Sequence, residues 1–194
     1  MSIGPPLTAA DFNDPAVLLS GPVDYDMYHD FRAKLGEALA RNPDGGRIHV
    51  ELSTLGGDPE VARMMGEDIR FHSDLVPARR FVFLGKAAIY SAGTTFMSFF
   101  ATQNRFLTRG TRLMIHERKM SQNLRIEGPL TSCIAGVKAV LHEIESSIAI
   151  QNEGFENLIS GSRVPLEEVL RKAPHNWYIE ANEAVDLGLV TAII

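Results

Sequence analysis

Short apolar runs alternate along this chain with longer stretches in which apolar residues recur every three or four positions. The helical period is clearest in Tyr28, Phe31, Leu35 and Leu39, and again after Asp58. The short runs have the length and composition of strands and cover residues 16–19, 47–52, 81–84, 105–107, 112–115 and 189–194. Strands and helices in alternation predict an α/β domain with a largely parallel sheet.

The boundaries of the predicted helices carry the residues that start and end helices. Asp24 and Asp58 can each accept a hydrogen bond from a free N–H of the first helical turn. Pro59 suits the first helical position, because a proline there loses no helical hydrogen bond. Residues 42–46, Asn-Pro-Asp-Gly-Gly, end the first helix, and Gly188 closes a short helix over 180–187.

A long helix dominates the last third of the chain. It opens at Gly128-Pro129, and its apolar residues recur at steps of three and four: Ile134, Val137, Leu141, Ile144 and Ile148, extended by Phe155, Leu158 and Ile159. That spacing predicts a seam for another helix. Packing within the same chain is one explanation. A helix this long in a small domain favours docking against an identical subunit. A short helix over 165–171 completes a helical region spanning 128–172.

Composition narrows the class of protein. The 194 residues are 45% hydrophobic, which fits one domain over 1–194, with 1–15 as a loose N-terminal arm. The net charge of −5 gives no basic field for nucleic acid. The single cysteine, Cys133, excludes a disulfide framework. With neither signal peptide nor membrane span, we expect a cytoplasmic protein without membrane contact. The histidines lack ligand spacing, so we expect no metal and no cofactor.

Ser91 and His116 are the strongest candidates for chemistry. Ser91 lies in Ala88-Ile-Tyr-Ser-Ala-Gly93, where an apolar strand turns directly into a second apolar stretch. His116 follows the strand ending Leu-Met-Ile115. A serine hydroxyl becomes a useful nucleophile only when a nearby base takes its proton, and an imidazole is such a base. Upstream, the pair Gly56-Gly57 lies between a strand and a helix, where backbone N–H groups can hold an oxyanion.

Taken together, these elements resemble the proteolytic subunit of the Clp protease, a family with the ClpP/crotonase fold. The resemblance rests on Gly56-Gly57, the Ser91 corner, Met114-Ile-His116 and residues 183–190, Glu-Ala-Val-Asp-Leu-Gly-Leu-Val. It covers the chain from about residue 17 to the C-terminus. It implies repeated ββα units, a protruding long helix, called the handle, that serves oligomerisation, and rings of stacked heptamers.

The resemblance also implies roles for individual residues. Ser91 matches the nucleophile and His116 the general base. Gly57 and Ala92 match the two backbone donors of the oxyanion hole. Independently of the family, Ala92 begins a helix, where free N–H groups and the dipole favour an anion. Glycine at 57 lets the backbone approach a substrate carbonyl.

The third member of the catalytic triad departs from the family. Counting back from Ala181-Asn-Glu-Ala184 places Asn176 where the family has an aspartate. An amide can accept the imidazole N–H through its oxygen, or present its NH2 and hold the wrong tautomer. In serine proteases the Asp→Asn change costs about 10⁴ in kcat. We therefore expect Asn176 to orient His116 weakly.

Three further departures concern substrate and partners. The serine corner is two residues longer than the usual Clp pattern and is closer to that of signal-peptide peptidases, which use a Ser–Lys pair. Lys86 would be the lysine of such a pair. It lies on a strand, however, and carries little weight as the base. Pro59 lacks the N–H that strand addition of a peptide would use. His49 and Glu51 stand where the family has aromatic residues for docking its unfoldase, which argues against a Clp-type ATPase partner.

The sequence thus predicts a serine endopeptidase of Clp type that cleaves short or unfolded peptides through Ser91, His116 and Asn176. The main alternative is a catalytically weak or inactive subunit that acts as a scaffold or regulator in an oligomeric ring. A crotonase-like acyl-CoA-binding protein is less favoured, because that pattern needs two backbone donors without a Ser–His pair.

Overall fold

A computed structural model describes residues 7–194 of the chain. The helices are α1 (Tyr25–Arg41), α2 (Pro59–Leu75), α3 (Ala92–Met97), α4 (Leu130–Ile159), α5 (Leu166–Lys172) and α6 (Ala181–Asp186). The strands are β1 (Val17–Ser20), β2 (Gly46–Thr54), β3 (Arg79–Tyr90), β4 (Arg105–Leu107), β5 (Arg112–Ile115), β6 (Trp177–Glu180) and β7 (Ala192–Ile193). Single 3₁₀ turns cover Ala9–Phe12, Thr102–Asn104 and Ala173–His175.

One mostly parallel sheet organises the domain. Its main path runs β1-β2-β3-β4-β7, with each neighbouring pair parallel. β5 branches from β3 in parallel, and β6 pairs with β5 in antiparallel register. Helices connect the parallel strands, as the alternating pattern predicts. The α/β fold is therefore confirmed.

β3 serves two parts of the sheet because it bends partway along. Its first half pairs with β4 at Phe83–Gly85, whereas its last residues, 88–90, pair with β5. Between them Ala87 has a φ of 59°, an uncommon conformation for a residue with a side chain. The bend delivers the end of β3 to β5, so Ser91 and His116 leave adjacent strands at the same edge.

The apolar core lies mainly between the sheet and the helices. β3 alternates, so that Phe81 and Phe83 face this core while Val82 and Leu84 face the opposite side of the sheet. On the opposite side, Phe12 packs with Val82, Leu84 and Phe106. The expected loose arm over 1–15 is thus corrected in part, because Ala9–Phe12 is a 3₁₀ turn whose Phe12 is buried; residues 1–6 lie outside the described residues.

The predicted helix starts are confirmed. Asp24 accepts a hydrogen bond from the N–H of Met27, and Asp58 accepts from Glu60 and Val61, with Pro59 at the first position of α2. The long helix is α4, which has 30 residues. The C-terminal strand is shorter than the predicted 189–194 and contains only Ala192–Ile193. In the described part of the chain, no helix has the length and apolar character to cross a membrane.

Candidate active site

Ser91 occupies a strained corner between β3 and α3. Its backbone has φ 53° and ψ −112°, a combination that side chains normally avoid. The surrounding hydrogen bonds hold it there. The N–H of Ser91 donates to the carbonyl of Met114 at 2.8 Å, and the carbonyl of Ser91 accepts from the N–H and the hydroxyl of Thr94 at 2.9 and 2.7 Å. Strain of this kind concentrates at functional sites.

His116 lies within hydrogen-bond distance of Ser91. It is the first residue after β5, and Met114 of that strand pairs with Tyr90 of β3. This register places the imidazole beside the hydroxyl, with Nε2 2.6 Å from Oγ of Ser91. The distance suits a base that takes the hydroxyl proton. The structure thus brings together the two residues that the sequence singles out.

The environment of His116 favours its neutral form. Burial is the largest influence and lowers the pKa of His116 below its ordinary value. A backbone contact at Glu117 opposes it, and the smaller effect of the Lys119 charge lowers the pKa further. A neutral imidazole is the form that accepts a proton. Within residues 7–194, Nδ1 of His116 is buried and has no hydrogen-bond partner.

Asn176, the predicted third residue, is exposed and makes no hydrogen bond to this nitrogen. It ends the 3₁₀ turn before β6, and β6 pairs with β5 through Trp177 and Ile115. The next antiparallel step therefore sets Asn176 opposite His116. Asn176 has φ 57° and ψ 87°, and its N–H donates to the carbonyl of Ala173 at 3.1 Å. The register thus brings the backbone of the predicted third residue level with His116, and the orienting hydrogen bond is absent among residues 7–194.

The glycine pair has a backbone that only glycine can adopt here. Gly57 has φ 153°, and a Cβ on it would lie 2.2 Å from the carbonyl oxygen of Val23. The turn is fixed on both sides of Gly57. The N–H of Val23 donates to Gly56 at 3.0 Å, and the N–H of Asp58 donates to Val23 at 2.8 Å. These bonds hold the backbone of Gly57 at the wall of the cavity that contains Ser91.

Ala92 begins α3 directly after Ser91. The N–H groups of a first helical turn have no partner within the helix, and the helix dipole favours negative charge there. Ala92 is buried in the core and also lines the cavity. Its N–H is therefore a candidate donor to an oxyanion that develops beside Ser91.

A cavity of about 630 Å³ opens over these residues. Gly57, Ser91 and His116 form one side, and Ile144 and Ile148 of α4 form part of the other. A cavity of this size with a few converging polar groups is typical of a binding site for a small molecule or a short peptide segment. Two residues of the apolar seam of α4 therefore also form part of the cavity wall.

Sequence reasoning missed several residues that build the site. Thr54 accepts the N–H of Gly56 at 3.0 Å, and Gly93 lies so close to Thr54 that a Cβ would be 2.5 Å from its methyl group. Arg118 links the segment after His116 to α2 and α4. Thr54 directly precedes the glycine turn, and Gly93 stands two residues after Ser91. Those positions were the only sequence signal for them.

Lys86, the alternative base, is engaged elsewhere. Its Nζ lies 2.6 Å from Oε2 of Glu51, a largely buried carboxylate on β2. The nearby His49 is stacked on Phe12, with ring centroids 4.9 Å apart. His49 and Glu51 thus both have partners within this chain.

Comparison with known proteins gives consistent results. The Clp protease family model matches residues 8–194. The chain is 25% identical over 185 residues to the ATP-dependent Clp protease proteolytic subunit 2 of Gluconobacter oxydans, covering 94% of this chain and 75% of that protein. Among solved structures, a point mutant of ClpP1 from Listeria monocytogenes shares the fold, with a TM-score of 0.71 and 20% identity over 92% of this chain and 90% of that chain.

Proposed function

The chain belongs to the Clp protease family, whose proteolytic subunits are serine endopeptidases, and on that premise we propose that it cleaves peptides with Ser91 as nucleophile and His116 as general base. The observation that carries the proposal is the 2.6 Å contact between Nε2 of His116 and Oγ of Ser91. A lone serine at a turn would have neither the strained backbone nor an imidazole at this distance.

In the proposed reaction, Oγ of Ser91 attacks the peptide carbonyl carbon while Nε2 of His116 takes the hydroxyl proton. The carbonyl oxygen becomes negative and accepts hydrogen bonds from the N–H groups of Gly57 and Ala92. His116 then donates its proton to the leaving amine, and an acyl ester on Ser91 remains. Water, deprotonated by His116, hydrolyses that ester and restores the serine. No cofactor is needed for these steps.

Asn176 completes the proposed site as the residue that orients His116. In this proposal its amide oxygen accepts the N–H of Nδ1, which is unpaired in residues 7–194. An amide stabilises the imidazolium less than a carboxylate does, so we expect low turnover.

The unpaired Nδ1 also supports the second candidate function, a catalytically weak subunit that serves as scaffold or regulator. Both candidates share the proposal that the chain is a homo-oligomer, with rings of stacked heptamers as the family form. The seam of α4 supports it, because its apolar residues are 39–55% exposed in a single chain: Ile134, Val137, Leu141, Ile144 and Ile148.

An ATPase partner is not part of the proposal. The Gluconobacter relative is named as ATP-dependent. In this chain, however, His49 stacks on Phe12 and Glu51 pairs with Lys86, so these two side chains are engaged within the chain.

Labelling with a fluorophosphonate separates the two candidates. The reagent modifies only an activated serine, so the peptidase proposal predicts labelling at Ser91, located by mass spectrometry of the digested protein. The label should disappear in S91A and fall strongly in H116A. Absence of labelling in the assembled wild-type protein would contradict the peptidase and favour the scaffold.

A further inference from the structure

Arg118 joins three walls of the active-site cavity. It lies two residues after His116, and its guanidinium bonds the carboxylate of Glu60 in the first turn of α2. Its backbone N–H donates to Oε1 of Gln151 on α4 at 2.7 Å. Both Arg118 and Gln151 line the cavity. A single residue thus connects the segment that carries the imidazole to the helices on either side.

These contacts occupy groups that a long substrate would use. An extended peptide binds beside a nucleophile by pairing its main chain with free N–H and C=O groups of the protein. The N–H of Arg118 is taken by Gln151, and Pro59 has no N–H to offer. Main-chain pairing is therefore restricted on two sides of the cavity. This restriction is separate from the side-chain contact of Arg118 with Glu60, and substitutions of those two side chains leave it in place.

The ion pair between Arg118 and Glu60 can break at little cost in stability. Partial burial raises the pKa of Glu60, but the contacts with Arg118 and Arg63 outweigh it and lower the pKa overall, so the pair is charged at neutral pH. The two side chains are 23% and 48% exposed, and ion pairs this exposed contribute little to stability. Nη1 of Arg118 is buried and, within residues 7–194, has no partner, which weakens the arrangement further.

We propose that Arg118 is a specificity-determining residue, whose contact with Glu60 narrows the cavity and favours short substrates over long ones. The inference rests on the proposed function of Ser91. The preference for short substrates is attributed to one ion pair, which joins α2 to the segment after His116. Removing that pair should widen the cavity without touching the nucleophile or the base.

The test compares two fluorogenic substrates with the same cleavage sequence, an acyl-dipeptide and a decapeptide. The ratio of kcat/KM for the decapeptide to that for the dipeptide should rise about fivefold in E60Q and in R118Q. R118K keeps a cation near Glu60 and should restore a ratio near that of the wild type. E67Q is the matched control, because Glu67 also pairs with an arginine of α2, Arg70, outside the cavity.

An unchanged ratio in E60Q and R118Q would overturn the proposal. A lower ratio would also overturn it, since the contact would then order the cavity for long substrates. A binding measurement separates this outcome from failure of the proposed function. A fluorescein-labelled decapeptide should bind S91A/E60Q more tightly than S91A in an anisotropy titration. Equal affinities would reject the role of Arg118, whereas absent fluorophosphonate labelling would reject only the nucleophile.

Discussion

At the scale of single residues, the proposed nucleophile and base are in contact, but the second ring nitrogen of the base has no partner in the described part of the chain. Nε2 of His116 contacts Ser91 at 2.6 Å, yet Nδ1 has no partner within residues 7–194. A buried ring nitrogen without a partner carries a desolvation cost and leaves the tautomer unfixed. We therefore expect the strength of the site to depend on residue 176, whose backbone lies one step beyond the pair Ile115–Trp177 in the sheet register.

Replacing Asn176 by aspartate should raise activity. A carboxylate accepts the N–H of Nδ1, holds the productive tautomer and stabilises the imidazolium that forms during the reaction. We expect kcat to rise about tenfold or more on an activated ester or a short peptide, a fraction of the roughly 10⁴ seen in serine proteases. The double variant N176D/H116A should lose the gain. No increase in N176D would contradict the orienting role of residue 176.

The pH dependence of kcat/KM should report the same interaction. Burial lowers the pKa of His116, so the base stays neutral until the pH falls below the ordinary imidazole range, and activity should decline only there. In N176D the new carboxylate favours the charged imidazole and raises the pKa of His116. The acidic limb of the pH profile should therefore move to higher pH. An identical limb in both proteins would show that residue 176 does not face His116.

At the scale of elements, the site depends on how closely strands and turns approach one another. Gly57 lies against the backbone of Val23, and Gly93 lies against Thr54, so neither position has room for a side chain. Arg105 at the start of β4 is fully buried and donates to carbonyl groups that follow α3 and end α4, among them Ser98, Phe100 and Leu158. Burial lowers its pKa to about 10, so it remains a cation at neutral pH.

Close contacts of this kind could not be predicted from the sequence. Local signals sufficed for the caps at Asp24 and Asp58, the corner at Ser91 and the start of the long helix. The bend at Ala87, the carbonyl partners of Arg105 and the contact between Arg118 and Glu60 arise from residues far apart in the chain. No local period or cap encodes such contacts, because tertiary packing decides them.

Alanine at position 57 should disable the site and weaken the fold. Its Cβ would lie 2.2 Å from the carbonyl oxygen of Val23, so the turn must move and the N–H of Gly57 moves with it. Loss of one oxyanion donor costs about 10²–10³ in rate, and we expect a comparable fall in fluorophosphonate labelling. Urea unfolding should show a loss of about 1–3 kcal/mol.

Gly36→Ala provides the matched control for that substitution. Gly36 lies within α1, is exposed, and an added Cβ would meet nothing within 4 Å. Alanine should stabilise the helix by up to about 1 kcal/mol and leave labelling unchanged. If G57A labelled as fast as G36A, Gly57 would have no part in the oxyanion hole.

At the scale of the whole molecule, we expect α4 to link the proposed assembly to the candidate active site. Its seam leaves Leu141 about half exposed, and the same helix contributes Ile144 and Ile148 to the cavity. Among residues 7–194, the core of the domain holds α4 at its C-terminal end, through Phe155 and Leu158. In the isolated domain, the part of α4 that lines the cavity is therefore supported at one end of the helix. A partner that docks on the seam would hold this part of α4 in place.

Leu141→Asp should break the assembly and reduce activity together. A charge at the centre of the seam would be desolvated on docking, which disfavours association. Size-exclusion chromatography with light scattering should show the wild type as an oligomer and L141D as a smaller species. Glu143→Ala tests the opposite face of α4, roughly 200° around the helix, and should keep the wild-type mass. If L141D retained the wild-type mass, the seam would not be the docking surface. If it dissociated with full activity, α4 would not link assembly to the site.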